Sequence, residues 1–190
     1  MSYKDGIAST TGRIGEAEVD QLFKHNGLYY FRPPGLDIGI DRIVSLNEKS
    51  TIQAKIQIKG RRQISNPRWF QLSVTPDQIS RSVKEMTDLN DLWLKKIYMV
   101  DFWILVSIPK NEIWIFPSQV IHEIASINSP VYKNRKDNNY SQVHYTKHGK
   151  IAKKQKELNL DTKDSNGVLL TKRFSSFRNN INPLIDFLRG

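Results

Sequence analysis

The sequence predicts an α/β (α+β) fold in which a mixed central β-sheet is flanked by helices. Three observations carry this. Amphipathic helical periodicity over Gly12–His25 is followed by several short strand signals, of which Thr51–Lys59 alternates most regularly: Ile52, Ala54, Ile56 and Ile58 on one face, Gln53, Lys55, Gln57 and Lys59 on the other. Helical signals then recur after residue 76 and near the C-terminus, so helices and strands interleave along the chain. The length of 190 residues suits a single domain with its own core, and no internal repeat or low-complexity tract interrupts it.

Each element has a local cause. Val19, Leu22 and Phe23 make the apolar face of the first helix, and Asn26-Gly27 stops it. Leu28–Arg32 reads as a short aromatic strand ended by Pro33-Pro34-Gly35, where neither helix nor central strand can continue. Asp41–Leu46 leads into the polar turn Asn47–Ser50 and the alternating strand. Trp69–Thr75 reads as the next strand, and Pro76 opens a helix carrying Ile79, Val83 and Met86. Tyr98–Ile108 and Glu112–Phe116 flank Pro109-Lys110-Asn111 as a hairpin, and Pro117-Ser118-Gln119 starts a helix reaching Ile127. Residues 129–166 are polar, basic and poor in aliphatic side chains, which predicts long surface loops with a short hairpin around Val143. Phe174–Leu188 predicts a closing helix that Pro183 splits.

Composition narrows the function. There is no cysteine, which excludes disulfides, thiolate zinc sites, iron–sulfur ligation and a cysteine nucleophile. No apolar run approaches the roughly 20 residues of a membrane helix, and Lys4 and Asp5 stand where a secretory leader would be apolar, so a soluble, cytoplasmic protein is expected. The 29 Lys and Arg against 19 Asp and Glu leave a formal charge of +10, which favours a polyanionic partner because cations near phosphates release condensed counterions.

The chemistry concentrates between Gly12 and Gly60. A turn centred on Lys49 pairs residues whose numbers sum to about 98, placing Asp41 opposite Gln57, with Lys59 on the same face and Glu16 arriving from the helix. A carboxylate, an amide oxygen, an ammonium group and a second carboxylate would converge there. Mg²⁺ prefers hard oxygen ligands and uses one or two carboxylates, so Asp41, the Gln57 side chain, the Ile58 carbonyl and Glu16 are the candidate ligands, Mn²⁺ being a substitute. Lys59 would orient an attacking water and offset charge on a phosphate.

Gly12-Arg13-Ile14-Gly15-Glu16, Asp37-Ile38-Gly39-Ile40-Asp41 and Gln57-Ile58-Lys59-Gly60 resemble the restriction-endonuclease-like PD-(D/E)XK nuclease superfamily, in a bacterial branch that carries Gln-x-Lys in place of Glu-x-Lys. The resemblance covers about the first third of the chain. It implies a restriction-endonuclease-like fold and a Mg²⁺-dependent DNA endonuclease acting in restriction, phage defence, mobile-element biology or repair. Glu16, Asp41 and Gln57 would be its metal-site positions and Lys59 its catalytic lysine. The superfamily's frequent need for two active sites to cut two strands implies a homodimer, with DNA preferred to RNA as substrate.

Other readings stand beside this one. Gln57 removes a full negative charge from the site, so a catalytically inactive nucleic-acid-binding module of the same fold is the alternative. A basic scaffold that binds another protein is a third. Gln53-Ala54-Lys55 repeats the spacing but pairs near Ser45, away from Asp41. Glu18 points away from the apolar face, and Asp37 is read as bracing the turn after Gly35. Arg61, Arg62 and Arg68 follow Lys59 and, with Lys147, Lys150 and Lys153, are candidate nucleic-acid-binding residues; Trp69 and Phe70 lie beside them. His122, His144 and His148 have no metal-ligand spacing.

Overall fold

A computed structural model describes residues 3–34, 39–74, 94–133 and 154–190. Helix α1 (Tyr3–His25) is followed by strands β1 (Tyr29–Phe31), β2 (Arg42–Ser45), β3 (Ala54–Arg61) and β4 (Trp69–Val74). Then come β5 (Phe102–Ser107), β6 (Glu112–Pro117), α2 (Ser118–Lys133), β7 (Lys154–Asn159) and the short helices α3 (Leu170–Arg173) and α4 (Asn182–Arg189). The main sheet has the order β1-β2-β3-β5-β6, with β3 and β5 parallel and the other neighbours antiparallel, which makes it mixed.

The sheet is covered on both faces. Strand β5 is buried at all six positions, and its alternate residues serve two cores. Phe102, Ile104 and Val106 join Ala54, Ile56 and Ile58 of β3 under Val19 and Phe23 of α1 and Leu184 and Leu188 of α4. Trp103 and Leu105 face the other way, among Ile121 and Ile124 of α2, Trp114 and Phe116 of β6, and Phe70 and Leu158. A strand buried on both faces reads as continuous apolar sequence, which is why Phe-Trp-Ile-Leu-Val shows no alternation.

The β2–β3 register agrees with the expected turn. Arg42 faces Ile56, Ile43 faces Lys55 and Val44 faces Ala54, each pair of numbers adding to 98. Asp41 continues it, its amide donating to the Ile56 carbonyl at 2.8 Å.

Several details differ from expectation. Helix α1 begins nine residues before Gly12, at Tyr3. Strand β4 leaves the main sheet and pairs antiparallel with β7, which lies in the segment expected to be long loops apart from a hairpin around Val143; Lys-Gln-Lys-Glu-Leu-Asn offers no apolar alternation, and the pairing partner supplies the order. Pro183 does not split a helix but opens one, in the first turn of α4, where its missing N–H is harmless. The helix expected after Pro76 and the hairpin around Val143 lie outside the described residues. Among the described residues, no helix is long and apolar enough to cross a membrane.

Candidate active site

The site forms where β2 and β3 separate at their ends beside α1. Two glycines bring the helix close: a Cβ on Gly15 would lie 3.1 Å from the Gly60 Cα, and one on Gly60 only 2.7 Å from the Thr11 carbonyl oxygen. Side chains at both positions would hold helix and strand apart, so the pair sets how near Glu16 comes to the β3 end.

Asp41 is the centre of the arrangement. Its Oδ2 accepts the Ile58 backbone N–H at 2.7 Å and the Gln57 Nε2 at 2.5 Å. Burial pushes the Asp41 carboxyl above the usual carboxylate range; the Ile58 N–H and the Lys59 charge act against that, and the Glu16 charge adds to it. Asp41 therefore lies within electrostatic reach of both Glu16 and Lys59.

Within a strand, the N–H and C=O of one residue point to the same side. Since the Ile58 N–H meets Asp41, its carbonyl also looks away from β5 toward the site, where Gln57 Nε2 approaches at 3.5 Å. Gln57 is 4% exposed, and its Oε1 faces Gly39. Gly39 holds φ at +81°, and a Cβ there would come within 2.7 Å of Met99 Cε and 3.1 Å of Gln57 Oε1. Glycine thus allows residue 39 to pack closely against Met99 and Gln57.

The structure adds two residues that sequence reasoning missed. Arg42, only 7% exposed, grips Asp20 with Nε and Nη2, both at 2.8 Å. Its Nη1 reaches Glu16 at 3.1 Å and the Asp41 carbonyl at 2.7 Å. Asp20 is one helical turn after Glu16, the i+4 spacing that puts both carboxylates on one face, and Arg42 follows Asp41 directly; those were the available signals. Asp20, the strongest influence, and Glu16 both raise the affinity of Arg42 for its proton, against the opposing effect of burial.

The Asp41 carboxylate and the Ile58 carbonyl are hard oxygen donors of the kind a divalent cation takes, but Gln57 turns Nε2 toward both of them and Oε1 toward Gly39, so its oxygen would join them only after the amide rotates. Among the described residues no group of three or more His, Cys, Asp or Glu is placed so that it could hold a metal ion. Glu16 is engaged by Arg42, so its approach to a cation would run through water or require Arg42 to release it.

The basic candidates divide. Arg61 closes the loop that follows β3: its Nε donates to the Asn66 carbonyl at 3.2 Å, Nη2 bonds the Gln63 side chain, and the guanidinium stacks 5.1 Å over the Trp69 ring. Arg62 is exposed. Arg68, by contrast, is committed to structure, with a two-pronged bond to Glu112 at 2.6 and 2.8 Å and a third bond to Asp161 at 3.0 Å. Its place next to Trp69 resembled a phosphate contact in sequence, but the acidic partners come from 44 and 93 residues away. Phe70 is buried in the core. Trp69 Nε1 is buried and has no hydrogen-bond partner among the described residues. Lys147, Lys150, Lys153, Asp37, His144 and His148 lie outside the described residues, while His122 bonds the Tyr98 hydroxyl at 2.9 Å.

Neither a protein-family model nor a curated protein matches the chain. Among solved structures, the chain is similar to Hjc, a Holliday junction resolvase from the archaeal hyperthermophile Archaeoglobus fulgidus, at 12% identity and a TM-score of 0.35, over 78% of this chain and 88% of that one.

Proposed function

We propose that the protein is a Mg²⁺-dependent endonuclease of restriction-endonuclease-like type that hydrolyses phosphodiester bonds of DNA. The observation that carries the reading is the convergence of Asp41, Gln57 and the Ile58 backbone at one strand end, with Lys59 next in the chain and near enough to act on the Asp41 charge. Asp41 and the Ile58 carbonyl would hold the cation, and Gln57 Oε1 would join them once its amide turns Nε2 away from Asp41. Bound there, Mg²⁺ would supply an activated water and neutralise charge at the scissile phosphate. Lys59 positions that water and stabilises the negative charge that develops on the phosphate. Arg42 is a positioning residue: it fixes Glu16 and Asp20 and braces the Asp41 backbone. Exposed Arg62 contacts the DNA backbone, and the expected basic residues Lys147, Lys150 and Lys153 would add to that contact. A homodimer acting on two strands belongs to the same proposal.

One observation favours a second reading. Gln57 is neutral, and Arg42 already offsets the charges of Glu16 and Asp20. A cation site with so little net negative charge is weak, as a DNA-binding module without catalysis would have. Incubating plasmid DNA with Mg²⁺ separates the two. Cleavage by the native protein that is lost in Asp41→Ala and Lys59→Ala supports the nuclease; salt-sensitive DNA retention without any cleavage supports the binding module.

A further inference from the structure

Directly beyond β3 the chain makes a loop, Arg62–Arg68, whose apex bears Ile64. Ile64 is 83% exposed, whereas the next most exposed large apolar side chain among the described residues, Tyr98, is at 48%. A single exposed aliphatic side chain is ordinary on a protein surface, so what distinguishes Ile64 is its near-complete exposure together with its place on a braced loop directly after the strand that carries Lys59.

The loop is braced rather than slack. Arg61 ties its base through the Asn66 carbonyl and the Gln63 side chain while stacking on Trp69, and the Trp69 amide donates to the Asn66 carbonyl at 3.3 Å. Pro67 is buried, its carbonyl accepting the Ser107 hydroxyl at 2.7 Å. Both ends of the loop are thereby anchored to strands, and Ile64 is held out at the tip with Arg62 two residues before it.

We propose that Ile64 is a wedge that enters the base stack of DNA, and that the substrate is therefore duplex whose stacking is already interrupted, as at a bulge or mismatch. This rests on the DNA-binding part of the reading above. Apolar side chains inserted between base steps must unstack them, a cost that an interrupted duplex has already met. Arg62 supplies the adjoining phosphate contact. Ile64 lies five residues after Lys59, at most about 18 Å of chain. At 3.4 Å per base step the wedge would act within roughly five steps of the bond being cut.

The test measures binding in Ca²⁺ or without metal, so it does not depend on cleavage. The native protein, Ile64→Ser and Ile64→Phe are titrated against a fully paired duplex and the same duplex carrying a one-base bulge, with 2-aminopurine beside the bulge to report unstacking. The native protein is expected to prefer the bulge by roughly tenfold and to raise the 2-aminopurine emission. Ile64→Ser should bind the paired duplex within about twofold of native, because its phosphate contacts remain, but lose both the preference and the emission change. Ile64→Phe should keep them. A preference unchanged in Ile64→Ser, or no preference in the native protein, overturns the wedge while leaving the nuclease reading intact. Absence of any DNA binding overturns both. An Ile64-dependent preference without cleavage in Mg²⁺ upholds the wedge and removes only the catalytic assignment.

Discussion

Replacing Gly60 by alanine tests how helix α1 is seated against β3. The new methyl carbon would stand 2.7 Å from the Thr11 carbonyl oxygen and 3.5 Å from the Gly15 Cα, both atoms of the α1 backbone. A carbon approaches a carbonyl oxygen comfortably at about 3.3 Å, so about 0.6 Å must be found by moving the helix or bending the strand. Overpacking of this kind costs about 1–3 kcal/mol, offset by the 0.5–1 kcal/mol or so that alanine gains over glycine within a strand. The net loss of about 1–2 kcal/mol lowers Tm by about 2–8 °C in a protein of this size. Gly12, three residues earlier in the same helix than Gly15, is the internal control: a Cβ there meets nothing within 4 Å. Gly12→Ala should stabilise by about 1 kcal/mol, from helix propensity alone. Thermal denaturation followed by circular dichroism reads both. Equal Tm values for Gly60→Ala and the native protein, or a loss in Gly12→Ala as large as in Gly60→Ala, would refute the close Gly15–Gly60 seating.

Three further outcomes are expected. Arg42→Ala leaves Glu16 and Asp20 facing each other without their shared cation, and should cost about 2–4 kcal/mol in urea unfolding, while Arg42→Lys, lacking the fork, recovers only part of it. The Arg68 fork holds the Glu112 carboxyl below its ordinary value of 4.5, so the pair's contribution to stability is whole above that pH and is lost as the pH falls through the lowered folded value. Glu112→Gln should therefore lose about 2 kcal/mol at neutral pH and flatten the acid limb of a Tm-against-pH curve; an unchanged limb would contradict the assignment. For Asp41 the sign is reversed: burial raises its folded carboxyl above the unfolded value, so its ionised form costs stability at neutral pH and the cost disappears on acidification. Asp41→Asn should then raise Tm in metal-free buffer at pH 7 while abolishing cleavage, and a fall in Tm would count against a desolvated carboxylate.

The parts of the fold that local chemistry determines are legible in the amino-acid sequence. The turn after Leu46 dictates the β2–β3 register, and from it the juxtaposition of Asp41 with Gln57; the observed bond between them follows from that pairing. The strand β3 alternates because its Ile56 and Ile58 pack under α1 while Gln57 lines the site. The features that are not legible depend on distant partners. Strand β7 carries one apolar residue among charged and polar ones and is ordered by β4, which lies far earlier in the chain, as Trp69 facing Asn159 illustrates. Arg68 reads as a basic residue near a nuclease motif, but Glu112 and Asp161 claim it. Arg42 reads as an ordinary strand residue until α1 brings Glu16 and Asp20 against it. Ion pairs that span the chain leave no periodicity to find.

Whether Asp41, Gln57 and Lys59 form a Mg²⁺-dependent phosphodiester-cleaving centre is decided by the Mg²⁺-dependent rate of plasmid cleavage. The native protein, Lys59→Ala and Asp41→Ala are compared, each shown to be folded by circular dichroism. The expected result is cleavage by the native protein and a loss of about a hundredfold or more in each variant, the scale of removing one preorganised electrostatic contact in a catalytic site. Cleavage that persists undiminished in both variants would contradict the proposed centre.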